Sequence, residues 1–168
     1  TDNRTGIVGV APASQLLALK ACWYEVEEAP AVCSTLTLAE AISFAIRQRV
    51  QVINLSLGGP GDPLLTRLLA EAMKRGIIIV GASAPGGAVA HGFPLNVPGV
   101  IAVADSDEPD GGNEVVNAEP AGPLLAAPGR EVLTLVPGQR YDYVSGSSIS
   151  AALVSGVVAL LLERQSEL

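Results

Sequence analysis

A pair of serines at the start of an apolar helical pattern is the part of this sequence best suited to chemistry. In the run GSSISAALVSG, Ser147 and Ser148 follow Gly146 and precede residues that are apolar almost all round a helix. A helix N-terminus offers unpaired backbone N–H groups and the positive end of the dipole, which favour a developing oxyanion. The two serines therefore lie where a nucleophile could act. The alternative is that the two serines only cap the helix.

A second segment, VINLSLGGP, joins an apolar strand pattern to a glycine-rich end. The two glycines allow another backbone to approach closely. An extended peptide could then add to the strand edge through main-chain hydrogen bonds. The residues at this strand end are Ser56, Leu57, Gly58 and Gly59. The alternative interpretation of the same residues is a simple turn from a strand into a helix.

Cysteine and histidine usage argues against a metal site. His91 is the only histidine, and no CxxC spacing occurs. Cys22 and Cys33 could be two free thiols or a disulfide, and we predict the disulfide. Because disulfides are uncommon in the cytosol, the pair favours a periplasmic or secreted protein.

Charge and composition restrict the classes of partner. The 168 residues carry 10 Lys and Arg against 17 Asp and Glu, a net charge of −7, which argues against nucleic acid because phosphates need a basic surface. We expect no membrane partner, since each uninterrupted apolar run is far shorter than the roughly 20 residues of a spanning helix. The length fits one domain, residues 1–168.

The elements that must position these residues alternate between strands and helices, which predicts parallel βαβ units. Apolar residues make up 49% and aromatics only 4%, as is usual for a buried parallel sheet. We therefore predict an α/β fold with a parallel β-sheet flanked by helices. The predicted strands are 16–22, 52–57, 77–80 and 99–104, with a hairpin of 132–136 and 141–144. The predicted helices are 37–49, 62–75 and 147–163, the last of them buried.

In their order and spacing, these segments resemble the subtilase family of serine proteases. GIVGVAP at 6–12, GVIAV at 99–103 and APG at 127–129 add to the two motifs above. The resemblance implies a subtilisin-like fold that lacks its N-terminal strands here. It also implies that Ser148 attacks the scissile carbonyl and forms an acyl-enzyme, and that residues 56–59 line the substrate cleft.

Departures from the family pattern concern the other catalytic groups. A serine hydroxyl needs a base, which in this family is a histidine in an HGT motif supported by an upstream aspartate. The sequence contains neither motif, and His91 lies in a loop far along the chain from the expected place. Pro85 occupies the position of the oxyanion asparagine and has no donor, although Ser83 could reach the site.

The first residues resemble the calcium loop of the family. Asn3 would supply the side-chain ligand, with the backbone oxygens of Thr1, Thr5 and Ile7. Calcium takes six to eight oxygens including carboxylates, and in relatives the main carboxylate comes from an N-terminal part that this sequence lacks. We therefore expect no bound calcium and no other cofactor.

The resemblance leaves two functions open, and a plain structural domain is a third. The chain could be half of a serine endopeptidase whose N-terminal segment supplies the aspartate and histidine in trans, acting on a peptide or protein substrate. It could instead be a pseudoprotease, a pseudoenzyme that keeps the cleft as a peptide-binding or scaffolding surface. In the family a central strand lies between those matching 16–22 and 52–57. We predict that these two strands pair directly or accept a strand from another chain, because buried strand edges need partners.

Overall fold

A four-stranded parallel sheet with helices on both faces forms the centre of the protein. The computed structural model describes residues 6–25, 31–83, 92–107 and 121–165. This architecture confirms the predicted α/β class. The strands are β1 (Cys22–Trp23), β2 (Val32–Cys33), β3 (Val52–Leu55), β4 (Ile78–Ala82), β5 (Ile101–Asp105), β6 (Leu124–Ala127), β7 (Val132–Val136) and β8 (Arg140–Val144); the helices are α1 (Thr35–Arg47), α2 (Pro63–Lys74) and α3 (Ser147–Gln165).

The central sheet has the order β3-β4-β5-β6, and every pair in it is parallel. Because side chains alternate along a strand, each strand contributes to two cores. In β3, Ile53 and Leu55 are buried with residues of α1 and α2, whereas Val52 packs on the opposite core with α3. The sheet is therefore a middle layer, and its carboxyl edge is where β3 and β4 end beside α3.

The two helices on one face begin at side-chain caps. Ser34 caps α1 by accepting the Thr37 N–H, and the Thr37 hydroxyl accepts the Ser34 N–H in return. Asp62 caps α2 by accepting the N–H groups of Leu64 and Leu65, with Pro63 at the first helical position. The Asp62 start was predicted from the sequence. The capping box explains why α1 begins two residues earlier than expected.

The predicted strand at residues 16–22 is wrong. Residues 14–21 have no regular structure, and Leu16 is 94% exposed. Cys22 alone enters a strand, in the short antiparallel pair of β1 with β2. An apolar run becomes a buried strand only when neighbours satisfy both of its edges, and the described residues supply none for this run.

Direct pairing of residues 16–22 with 52–57 is therefore also wrong. Within the described ranges β3 pairs only with β4, so its other edge is open. Ala21 does approach the core, and its carbonyl accepts the Thr37 hydroxyl at 2.7 Å. The segment thus follows the start of α1 instead of joining the sheet. Whether a strand from another chain covers the edge of β3 stays a prediction.

Helix α3 is less buried than its sequence predicts. Ser150, Ala151, Val154 and Val158 are buried on the sheet, but Leu161 on the outer side is 56% exposed. The expectation of a fully buried helix is wrong because nothing in the described part of the chain covers this outer side. By length and composition α3 is also long and apolar enough to cross a membrane, a criterion that core helices of soluble proteins satisfy as well. The expected absence of a membrane partner stays a prediction.

In the described residues, two small antiparallel strand pairs lie outside the central sheet. Strands β7 and β8 form the predicted antiparallel hairpin, in which Leu135 is opposite Tyr141. Strands β1 and β2 are joined by a disulfide between Cys22 and Cys33, whose Cα atoms are 4.3 Å apart. The predicted disulfide is confirmed, and the alternative of two free thiols is wrong.

Candidate active site at the start of helix α3

The first residues of α3 lie at the carboxyl edge of the sheet, where open α/β folds bind their ligands. The hydroxyl of Ser147 donates to the carbonyl oxygen of Ser83 at 2.6 Å, which fixes the helix start to the end of β4. Ser83 is buried, and its N–H donates to the Val103 carbonyl of β5 at 2.8 Å. The structure therefore uses the Ser83 backbone to support the site.

The candidate nucleophile and the candidate peptide-binding edge meet directly. The hydroxyl of Ser56, just after β3, donates to the carbonyl oxygen of Ser148 at 3.1 Å. These residues are 92 positions apart in the sequence. The fold therefore brings the two motifs of the sequence into one site.

Glycines permit the turn that leads into α3. Gly146 has a φ of 138°, which favours glycine, and its N–H donates to the Gly129 carbonyl at 2.7 Å. Gly129 belongs to the APG segment and lies against Ser150 and the carboxylate of Asp105. A Cβ at position 129 would contact Ser150 Oγ and lie 2.7 Å from Asp105 Cγ. The APG segment thus supports the first turn of α3 by close packing.

Ser148 itself is exposed and available for chemistry. Among the described residues, its hydroxyl has no hydrogen-bond partner and its backbone N–H has no acceptor. The Ser147 hydroxyl donates to a carbonyl, and in the described residues no backbone N–H donates to it, so no cap of this kind is found there. A free N–H at a helix N-terminus could stabilise an oxyanion formed at Ser148. A hydroxyl without a base, however, is a weak nucleophile.

The candidate cleft edge presents free main-chain groups. Ser56, Leu57 and Gly58 make no backbone hydrogen bond to another described residue. Gly59 donates its N–H to the Phe93 carbonyl at 3.0 Å, and this bond ends the free segment. Gly58 is exposed, whereas the Leu57 side chain packs against the core. The segment can therefore accept an extended peptide.

The hydrogen bonds add two residues that the sequence analysis missed. Asn54 Nδ2 donates to Ser56 Oγ at 3.0 Å, and Ser155 Oγ donates to Asn54 Oδ1 at 3.0 Å. Asn54 is a polar residue within an apolar strand pattern, two positions before Ser56. The spacing of two residues was the available signal, because residues i and i+2 of a strand share a face, which places Asn54 on the same face as Ser56.

A hydrogen bond also links the starts of α1 and α2 below the cleft edge. The Thr35 hydroxyl donates to Asp62 Oδ2 at 2.6 Å. This bond, together with those from the N–H groups of Leu65 and Leu64, holds the pKa of Asp62 below its usual value because each donor favours the carboxylate. Asp62 therefore fixes the path of the chain just beyond Gly59.

Several predicted site residues lie outside the described residues. These are Pro85 at the oxyanion position, His91, and Thr1, Asn3 and Thr5 of the calcium-like loop. Their roles stay predictions. Within the ranges that the structure describes, no group of three or more His, Cys, Asp or Glu residues could hold a metal ion.

Comparison with known proteins places this arrangement in context. The profile of the subtilase family matches residues 1–168. The chain is 32% identical over 166 residues to the thermostable alkaline protease of Halalkalibacterium halodurans, covering 97% of this chain and 44% of that protein. It is 31% identical over 172 residues to the major intracellular serine protease of Bacillus subtilis, covering 99% of this chain and 52% of that protein.

Solved structures give the same result. The structure of the prenylagaramide maturation protease PagA matches with a TM-score of 0.69 and 26% sequence identity, covering 83% of this chain and 53% of that chain. The present chain spans about half the length of the curated relatives above. The family profile, the related sequences and the fold therefore agree with one another.

Proposed function

This chain belongs to the subtilase family, and on that premise we propose that it carries the nucleophile-bearing half of a subtilisin-like serine endopeptidase domain. Ser148 is the proposed nucleophile, and the segment of Ser56, Leu57, Gly58 and Gly59 is the proposed substrate-binding edge. The observation that carries the proposal is the hydrogen bond from the Ser56 hydroxyl to the Ser148 carbonyl, which joins the two parts. The substrate would be a peptide or protein.

The proposed reaction uses features that are already present at Ser148. A peptide bound along residues 56–58 would place a carbonyl beside the Ser148 hydroxyl. Attack by the hydroxyl oxygen would break the C–N bond of the peptide and give an acyl-enzyme on that oxygen, while the base would pass the hydroxyl proton to the departing amine. The Ser148 N–H and the dipole of α3 would stabilise the oxyanion. The missing component is a base, and no described residue hydrogen-bonds the Ser148 hydroxyl. We therefore propose that the chain alone is inactive.

We further propose that another segment of the same protein, in the same chain or in trans, supplies the aspartate and histidine. The open edge of β3 and the exposed outer side of α3 support this, because both surfaces are typical of elements that another layer covers. The exposed residues of α3 include Val157, Leu160 and Leu161. A strand against β3 would satisfy its free main-chain groups.

A pseudoprotease is the second candidate function, and one residue favours it. Pro85 aligns with the oxyanion asparagine of the family and cannot donate a hydrogen bond from its side chain. A protein with the peptide edge but without this donor would still bind peptides. In that case residues 56–59 would be a docking surface, and Ser148 would have no chemical role.

Active-site labelling with a fluorophosphonate, which reacts with activated serines, distinguishes the two functions. We expect no labelling of the 168-residue chain by itself. We expect labelling of the full-length protein at Ser148, detected by peptide mass, with loss of the label in Ser148→Ala and retention of it in the control Ser145→Ala. Labelling of the isolated chain at Ser148 would show that the base is within this half.

The outcome for the full-length protein separates the endopeptidase from the pseudoprotease. Peptide binding without labelling would favour the pseudoprotease, and Gly58→Val should weaken that binding because a side chain would obstruct the edge. Neither labelling nor peptide binding would refute both functions.

We propose a periplasmic or secreted location. The disulfide between Cys22 and Cys33 supports it, because reducing compartments disfavour such bonds. The name of one relative, the major intracellular serine protease, points the other way for that protein. Thiol alkylation of the protein in its native cells would decide, since blocked cysteines indicate an oxidising compartment.

A further inference from the structure

Three polar side chains connect the middle of α3 with the carbonyl of the proposed nucleophile. Ser155 Oγ lies 3.0 Å from Asn54 Oδ1, and Asn54 Nδ2 lies 3.0 Å from Ser56 Oγ. Ser56 Oγ lies 3.1 Å from the Ser148 carbonyl oxygen. This series of hydrogen bonds, from Ser155 through Asn54 and Ser56 to Ser148, is termed the polar chain below.

Secondary structure places the members of the polar chain on facing surfaces. In β3, Ile53 and Leu55 point into the core with α1 and α2, so Asn54 and Ser56 point to the side of α3. In α3, Ser155 follows Ser148 by about two helical turns, which returns it to the same side. The alternation of side chains in β3 and the repeat of α3 thus place these residues opposite one another at the carboxyl edge of the sheet.

In the polar chain, the Ser56 hydroxyl accepts one hydrogen bond and donates another, so its single proton has one acceptor. Asn54 donates to Ser56 Oγ, which leaves the Ser56 proton for the Ser148 carbonyl. The opposite orientation of the Asn54 amide would offer Ser56 a competing acceptor, and amide orientation is assigned from such networks. The single proton of the Ser155 hydroxyl has two acceptors within reach, Asn54 Oδ1 at 3.0 Å and the Ala151 carbonyl at 2.9 Å, and is shared between them.

We infer that Asn54 and Ser155 are positioning residues for Ser148, acting through the hydroxyl of Ser56. A serine hydroxyl on a free side chain has three staggered orientations, and only one of them aims at the Ser148 carbonyl. Asn54 selects that orientation, and Ser155 holds the Asn54 amide. The Ser148 carbonyl is thereby tied to the end of β3, and the first turn of α3 is fixed. This inference rests on the proposed role of Ser148 as the nucleophile.

The polar chain is more than packing between a strand and a helix. Asn54 and Ser56 are exposed, so their removal leaves no cavity and little apolar contact is lost. The other tie of the helix start, from Ser147 to Ser83, does not involve these residues. Loss of the polar chain should therefore loosen the Ser148 side of the first turn without unfolding α3.

The test uses the full-length protein that contains this chain, with the variants Ser155→Ala, Asn54→Ala and Ser155→Thr. Ser43→Ala, a serine within α1 for which no hydroxyl bond is found in the described residues, is the matched control. Hydrogen exchange by mass spectrometry measures the protection of the peptide covering residues 146–153. Peptide hydrolysis measures kcat and KM separately.

We expect a local loosening of the first turns of α3 in the alanine variants and none in the conservative variant Ser155→Thr. Ser155→Ala and Asn54→Ala should each raise exchange in residues 146–153 by about fivefold, the factor for one hydrogen bond of ordinary strength. The variant Ser155→Thr keeps the hydroxyl and should exchange at the native rate, as should Ser43→Ala. In peptide hydrolysis by the two alanine variants of the polar chain, kcat should fall by about fivefold. KM should stay unchanged, since the peptide-binding edge at residues 56–59 is intact.

Three results would overturn the inference. One is native exchange at residues 146–153 in both alanine variants, and another is exchange in Ser155→Thr as fast as in Ser155→Ala. The third is a uniform rise in exchange over the whole protein, which would indicate lost stability and no positioning. The exchange measurement needs no activity. If the native full-length protein hydrolyses no peptide, the proposed function is refuted. The exchange measurement would still decide whether Asn54 and Ser155 position the first turn of α3.

Discussion

Substitution of Gly129 by alanine tests whether close packing under α3 fixes the candidate site. Gly129 is buried and accepts the Gly146 N–H that begins the turn into the helix. A Cβ at position 129 would meet Ser150 Oγ and would lie 2.7 Å from Asp105 Cγ and 2.9 Å from Asp105 Oδ1. Ser150 is fully buried, so it cannot move away without disturbing α3. We expect Gly129→Ala to destabilise the protein.

The size of the effect follows from two costs and one gain that opposes them. Forcing an extra methyl group into a packed interior costs about 1–3 kcal/mol. Alanine restricts the unfolded chain more than glycine does, which offsets about 0.4–1 kcal/mol of that cost. Rotation of the Ser150 hydroxyl away from the new methyl group would also break its 3.2 Å bond to the Pro128 carbonyl. The net loss in the free energy of unfolding should be about 1–2 kcal/mol.

Urea denaturation provides the assay, with the midpoint expected to fall and the slope m to stay constant. Gly9→Ala is the matched control, because a Cβ there meets no atom of a described residue within 4 Å, and its effect should stay within about 0.5 kcal/mol. In a Ser150→Ala background the nearest obstacle is gone, so the added cost of Gly129→Ala should shrink by at least about 0.5 kcal/mol. Native stability of Gly129→Ala, or an undiminished cost in that background, would refute the packing argument.

Two further predictions concern residues at the N-terminal starts of α1 and α2. Reduction of the Cys22–Cys33 disulfide, with a sequence separation of 11, should lower the free energy of unfolding by about 3 kcal/mol on the chain-entropy estimate; equal urea midpoints with and without reductant would contradict this. Because the folded pKa of Asp62 is lowered, its carboxylate stabilises the protein above the unfolded value of about 3.9, and this contribution disappears as pH falls through the folded pKa. The difference in unfolding free energy between the native protein and Asp62→Ala should be largest above about pH 5 and narrow below about pH 4; a constant difference across that range would argue against the role of the carboxylate.

Local patterns in the sequence predicted most of the central elements. The apolar runs at β3, β4 and β5 were identified, as were all three helices, because the periods of strands and helices are visible within a few residues. Boundaries moved by a few residues where a cap decided them, as Ser34 does for α1. Strand β6 was missed, since LLAA is short and has no alternation of apolar and polar residues.

The errors arose where an element depends on a distant partner. Residues 16–22 are as apolar as a buried strand, yet Leu16 is exposed because no described strand lies beside it. The outer side of α3 is as apolar as the side that packs on the sheet, but no described residue covers it. Apolar composition shows what an element could bury, and only its neighbours decide whether it does.

The sequence by itself predicted the α/β class, through the alternation of strand and helix patterns along the chain, and the glycine-rich edge after β3, through residue types within one short segment. Its resemblance to the family identified Ser148 as the candidate nucleophile. The sequence also predicted a disulfide between Cys22 and Cys33, with two free thiols as the alternative. The tertiary structure decided that the cysteines pair, since their Cα atoms lie 4.3 Å apart. It also decided that Ser56 contacts the Ser148 carbonyl and that Asn54 contacts Ser155, across 92 and 101 positions. Hydrogen bonds act over about 3 Å, so bonds between residues so far apart in sequence exist only after the sheet and α3 have packed together.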